Sequence, residues 1–230
     1  MKSVIKKYFP NAEEGEYYTK KSVDKLTGNG FDLKKTLLAT SVCSDEIIRS
    51  ATNFRDYLAN ESPFQLGGLA GFPFTGITGF KAFASHIPDG GAAIIQFGPH
   101  IGVSKNGNVG TMFRHGQLLE STCCGALQAS LNVLEVKGKP AADKEFDYQQ
   151  WTIENELIKR KERILSGDQK LIKATEVMFE VIKDRINKII EASGVFDGKK
   201  IALIGGIIIN ADHGSPDWFD EKVFDIRYGN

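Results

Sequence analysis

Apolar residues fall along this chain in two patterns, and the alternation between them predicts the architecture. Three short runs are mostly apolar with no period-two alternation, as in strands buried on both faces: residues 37–42 (LLATSV), 92–97 (AAIIQF) and 201–209 within KIALIGGIIIN. Elsewhere apolar residues recur every three or four positions, the mark of helices with one buried face. Ile47, Ile48, Ala51, Phe54 and Leu58 predict a helix over 45–58, and GALQASLNVLE predicts another after residue 124. The region 147–192 carries two stripes, Trp151, Ile153, Leu157 and Ile164, then Leu171, Val177, Met178, Val181, Ile182, Ile186 and Ile189. Ser166-Gly167-Asp168 separates them. Residues 1–35 read as a helical leading segment, with Val4, Ile5 and Tyr8 as a first stripe and Gly28 and Gly30 closing a second helix. The expected fold is α/β: a mainly parallel central sheet built on the three runs, helices on both faces, and 147–192 as the return connection.

The connections are where chemistry-bearing residues gather. Between Gly67 and Gly79 lie five glycines among Phe72, Phe74 and Phe80, permitting tight turns and a small dry cavity. SKNGNVGTMF, with turns at Asn106-Gly107 and Asn108-Val109-Gly110, predicts a hairpin, and 223–227 a last edge strand. Cys43 ends the first run, and Gly98-Pro99 breaks the second just before His100. Ser121 or Thr122 caps the helix after residue 124, which places Cys123 and Cys124 in its first turn. Open α/β sheets place their sites at the carboxyl ends of strands. No repeat or low-complexity segment divides residues 1–230, so one domain is expected, with 36–136 carrying the site and 200–230 the final strand and tail.

Composition narrows the function. Lys plus Arg and Asp plus Glu are 29 each, so no global charge draws the chain to nucleic acid or to an anionic membrane. The longest apolar run, IALIGGIIIN, is far short of the roughly 20 residues of a membrane helix. No targeting segment is visible in MKSVIKKYFPNAEEG, and three cysteines, two of them adjacent, make no disulfide framework. A cytoplasmic location is the expectation.

Cys43, His100 and the pair Cys123-Cys124 each stand at the boundary of an ordered run. Thiolate and imidazole suit a zinc ion, and a Cys-His-Cys set leaves a fourth position for water that ionises near neutral pH. Another reading of the same residues is a cysteine nucleophile, Cys124, with His100 as its base.

SVCSDEI, FGPHIGV, RHGQ, STCCGA and GGIIIN together resemble the limiting-CO2-inducible B/C (LCIB-like) family, a divergent branch of β-carbonic anhydrases. The resemblance runs from about residue 36 to the last residue. It implies zinc held by Cys43, His100 and Cys124, the last chosen over Cys123 because the family's ligand is followed directly by glycine. It implies a homodimer and reversible hydration of carbon dioxide to bicarbonate by a zinc-bound hydroxide. Asp45 would either accept a hydrogen bond from the zinc-bound water or itself fill the fourth zinc position in a resting form. The family's arginine partner of that aspartate stands two residues on, where this chain has Ile47. Arg49, one helical turn from Asp45, is the expected substitute, with Arg114 the alternative. Phe72, Phe74, His86, Arg114 and Gln117 are candidate walls of the substrate pocket; His115 and His213 are expected at the surface. A catalytically silent zinc protein of the same fold is the alternative function.

Overall fold

The computed structural model describes residues 1–50, 54–58, 62–196 and 198–228, and of residues 49 and 50 the backbone alone. Helices α1 (Lys2–Tyr8) and α2 (Gly15–Gly28) flank a short β1 (Glu13–Glu14). Then come β2 (Thr36–Ser41), β3 (Phe64–Gln65), α3 (Gly76–Ser85), β4 (Ala92–Phe97) and β5 (His100–Gly102). A small ribbon, β6 (Thr111–Met112) with β7 (Ser121–Thr122), leads to α4 (Gly125–Val136). Helices α5 (Tyr148–Ile158), α6 (Lys161–Leu165) and α7 (Lys170–Ser193) return the chain to β8 (Lys200–Asn210) and β9 (Trp218–Tyr228).

The main sheet runs β1-β9-β8-β4-β2-β3, with β5 also paired to β8. Strands β2, β3, β4, β5 and β8 are parallel; β9 runs antiparallel to β8, and β1 to β9. The three apolar runs are therefore adjacent at the centre. In β4 every residue is buried, as is every residue of β8 after Lys200, which explains the absence of period-two alternation. Helices cover both faces. Phe179 of α7 stacks on Phe97 of β4, centroids 5.9 Å apart, while on the other face Tyr18 of α2 packs on Phe219 of β9 at 4.6 Å. The long α7 buries Val177, Met178, Val181, Ile182, Ile186 and Ile189 on one stripe and ends at Gly194, whose φ of +57° suits glycine.

The step between β4 and β5 makes the site possible. Gly98 has φ +149°, and a Cβ there would lie 1.8 Å from the carbonyl oxygen of Gly206. Opposite it, β8 carries a register shift between Gly205 and Gly206. The chain can thus leave β4, pass hard against β8 and rejoin it with His100 beside Ile208.

Several elements differ from the sequence reading. In place of one α-helix over 45–58, 3-10 turns occupy Glu46–Ser50 and Phe54–Tyr57, with Ala51 outside the described residues. Asp45 starts the first turn by accepting from the Ile47 N–H at 3.3 Å, and the β-branched Ile47 and Ile48 favour an α-helix weakly. The glycine-rich stretch is part helix, since α3 begins at Gly76. Ser121 and Thr122 lie in β7 and do not cap α4; Cys124 is itself the N-cap residue, with extended backbone. Hydrogen bonds from Cys123 N–H to Gly110 O and from Gly102 N–H to Cys123 O, both 2.8 Å, hold that extended course. The final strand is eleven residues long, not the five of 223–227. Among the described residues, no helix is long and apolar enough to cross a membrane.

Candidate metal centre

Cys43 lies two residues beyond the end of β2, His100 opens β5, and Cys124 immediately precedes α4. Adjacent parallel strands end side by side, so residues far apart in sequence meet at one sheet edge. The sulfurs of Cys43 and Cys124 are 3.9 Å apart, and the ligating atoms of Cys43, His100 and Cys124 all lie within 4.8 Å of one another. All three side chains are buried: relative exposure is 8% for Cys43, 0% for His100 and 2% for Cys124. Gly102 makes room for this convergence, since a Cβ there would lie 2.9 Å from the Cβ of Cys123.

The electrostatics suit a cation. The Cys124 thiol hydrogen-bonded to Cys43 lowers the Cys43 pKa to about 4, against the opposing effect of burial and with help from His100. The same contact raises Cys124, burial adding to it. Burial works against a charged His100, but the sulfurs around it outweigh that and push its pKa well up. Negative charge is therefore stored on sulfur and balanced by protons, which a divalent metal displaces on binding. Although the sulfurs share charge with His100, none makes a well-formed hydrogen bond to its Nε2, which is buried without a partner. A buried nitrogen without a partner, facing two cysteine sulfurs, is the donor set a metal ion would complete. The Nδ1 edge is occupied, lying 2.8 Å from Asn210 Oδ1.

Cys123, the neighbour in sequence, points elsewhere. Its sulfur lies 3.4 Å from His100 Nδ1 and 3.6 Å from Asn210 Oδ1, behind the imidazole. The candidate metal set contains Cys124 and not Cys123.

Asp45 sits beside this centre. Its two oxygens accept from Arg114, Nη1 to Oδ1 at 2.9 Å and Nη2 to Oδ2 at 2.8 Å, a bidentate pair. Arg114 also donates to Glu46 Oε1 at 2.6 Å, to Ser121 Oγ at 3.1 Å and to the Thr122 carbonyl at 3.3 Å. Burial alone would raise the Asp45 pKa, but Arg114 overcomes it and holds the carboxyl at about 2. The aspartate is thus a fixed acceptor at any ordinary pH. Helical spacing pointed to Arg49 as its partner, but the 3-10 course of residues 46–50 removes that spacing. The Arg49 side chain is outside the described residues, and Arg114 makes the pair.

A cavity of about 580 Å³ opens beside Cys43 and Asp45, walled also by Val42, Ile48, Gln65 and Gln96. Phe72 and Phe74 are not among its walls. They pack on each other at 4.8 Å, and Phe74 packs on Tyr148 of α5 at 6.3 Å. His86 is exposed at the end of α3, before β4 begins and so at the opposite end of that strand from His100. Gln117 is exposed in the turn that starts at Arg114. His115 and His213 are exposed and face each other, Nδ1 to Nε2 at 3.1 Å. Sequence reasoning missed Asn210, Asp217 and Ser121. For Asn210 the signal was a polar residue closing an otherwise apolar buried run.

Comparison with known proteins gives the family and the fold. Residues 14–228 match the family model of limiting CO2-inducible proteins B/C beta carbonic anhydrases. The crystal structure of PtLCIB4, a homolog of the limiting CO2-inducible protein LCIB, superposes with a TM-score of 0.91 at 33% identity, covering 100% of this chain and 98% of that one. For LCIB itself the TM-score is 0.75 at 22% identity over 97% of this chain and 96% of the other, a likeness of fold. No curated protein matches the chain. With a family match over nearly its whole length and a relative one-third identical along all of it, the chain belongs to the limiting-CO2-inducible B/C family of β-carbonic anhydrases.

Proposed function

We propose that this protein is a zinc enzyme that interconverts carbon dioxide and bicarbonate, CO2 + H2O ⇌ HCO3⁻ + H⁺. The observation that carries the reading is the buried Cys43–His100–Cys124 cluster, with an unpartnered His100 Nε2, next to a carboxylate that Arg114 keeps ionised. Cys43, His100 and Cys124 would hold the ion, leaving a fourth position. Zinc, when bound, supplies the Lewis acidity that ionises a water near neutral pH. Asp45 can only accept hydrogen bonds, so it selects the orientation in which an O–H points at the carboxylate and an oxygen lone pair points into the cavity. Arg114 holds Asp45 by both oxygens and so fixes that direction. The cavity beside Cys43 would admit a small linear molecule. The family membership and the almost fully exposed Leu118 (93%) and Leu119 (79%) support a homodimer.

The test measures zinc content and carbon dioxide hydration on one preparation, with Cys43→Ala alongside. About one zinc per chain, with activity that the variant loses, is the expected result. Zinc without hydration between about pH 7 and 9, where a zinc-bound water ionises, would instead make the protein a catalytically silent metal scaffold in inorganic-carbon handling. Absence of zinc would overturn the ligand assignment.

A further inference from the structure

Behind His100 runs a chain of polar groups, buried at Asn210 and half-buried at Asp217, that the metal reading leaves unused. Asn210 closes β8, fully buried, and its Oδ1 lies 2.8 Å from His100 Nδ1. Its Nδ2 donates to Asp217 Oδ2 at 3.1 Å, and Asp217 Oδ1 accepts from the Ala211 N–H at 3.0 Å. Chemistry fixes the direction of every bond in this chain. A carboxylate accepts only, so the amide of Asn210 must turn its NH2 toward Asp217 and its oxygen toward His100. That oxygen also accepts only, so the imidazole must carry its proton on Nδ1. Nε2, the nitrogen without a hydrogen-bond partner, is then the one that faces Cys43 and Cys124, and it offers a lone pair there once an incoming cation has displaced any proton it carries. The Cys123 sulfur, 3.6 Å from the same Asn210 oxygen, donates to it and braces the amide from the side.

We infer that Asn210 and Asp217 are positioning residues that set the tautomer and ring orientation of His100, and that the tail after β8 is thereby part of the metal centre. The inference rests on the reading of Cys43, His100 and Cys124 as ligands. Groups behind a ligating histidine tune how firmly it holds its ion, and their loss commonly costs about ten- to a hundredfold in affinity. The rival account is that Asn210 fills a buried gap and that any side chain of similar size would serve.

Three variants separate the two accounts. Asn210→Leu keeps the volume and removes the acceptor. Asn210→Asp sets a carboxylate against the Asp217 carboxylate. Asn210→Asp combined with Asp217→Asn restores one donor and one acceptor with their roles exchanged. Zinc release to a chelator should be about ten- to a hundredfold faster in Asn210→Leu, faster than wild type in Asn210→Asp, and largely restored in the double variant. Release at the wild-type rate from Asn210→Leu, or a double variant no better than Asn210→Asp, would overturn the inference. A second readout needs no metal. The Nδ1 proton of His100 is present whether the ring is neutral or charged, so in the metal-free protein its 1H–15N signal should exchange slowly, and Asn210→Leu should abolish it. If wild type lacks that protected proton, the positioning role falls whatever zinc does. A protected proton in a chain that takes up no zinc would uphold the positioning role and sink the metal reading instead.

Discussion

The two halves of the site are built in opposite ways. The sulfur–imidazole half is assembled by the core: its residues stand at the ends of adjacent parallel strands and before a helix, all buried, with Asn210 behind them on the central strand. The carboxylate–guanidinium half is assembled near the surface. Arg114 comes from the excursion between β6 and β7, and its side chain is 17% exposed. What steadies that excursion is Glu120, which accepts from Ser104 at 3.0 Å, Asn106 at 2.7 Å, Asn108 at 3.0 Å and Thr111 at 2.5 Å. In the proposed function, holding an ion and orienting a reactant would thus fall to separate parts of the structure. Damage to one need not disable the other.

The sharpest way to break this comparison lies within the cysteine pair. Cys124→Ser should lower zinc from about one per chain to a small fraction of that, because a serine hydroxyl does not ionise to replace a thiolate ligand. Cys123→Ser should keep its zinc, since a hydroxyl can still donate to Asn210. Metal analysis of the two purified variants decides the matter; the reverse pattern would exchange their roles. The next effect in size concerns Arg114. Arg114→Ala should leave zinc content unchanged while hydration falls by about a hundredfold, the scale of a small misplacement of a reacting group. Arg114→Lys should recover little, because an ammonium cannot hold both oxygens of Asp45 at once. Were zinc lost along with activity in Arg114→Ala, the two halves would not be separable.

How much of this was legible in the sequence follows the same division. Strands β2, β4 and β8 were readable to within a residue because burial on both faces leaves a mostly apolar run without alternation. That run also located Cys43 and His100 at its ends. Strand β9 was read short because Asp220-Glu221-Lys222 interrupts it with charge, and much of its remainder is only half-buried at the sheet margin. The pairing of Asp45 with Arg114 spans 69 residues of chain and depends on where an irregular excursion folds back, which no local period encodes. Arg49 was favoured by a helical spacing that the 3-10 turn does not provide. Phe72 and Phe74 were assigned to the pocket by composition, but their position is fixed by packing on Tyr148 of α5, far along the chain. Asn210 was visible as a letter, yet its meaning required knowing that β5 lies beside the end of β8.

The smallest effect tests whether Glu120 organises the loop half from a distance. Hydrogen bonds from Thr111 and Asn108 first, then from Asn106 and Ser104, hold its carboxyl down from 4.5 to about 2, burial opposing them. A carboxylate with a depressed folded-state pKa stabilises the fold above its unfolded value, and that stabilisation fades as pH falls through the folded value. The contribution is therefore complete above about pH 4.5 and lost on the way to about pH 2. Glu120→Gln retains one accepting oxygen but cannot serve four donors as an ion, so it should unfold more readily at neutral pH. Because the wild type alone loses the carboxylate, the gap between the two chains should close in acid. Denaturant midpoints of both, taken at steps from about pH 6 to 2, read that gap directly. A gap independent of pH would mean that Glu120 acts through shape and not charge, and that Arg114 is held by Ser121 and Thr122 without the surface network.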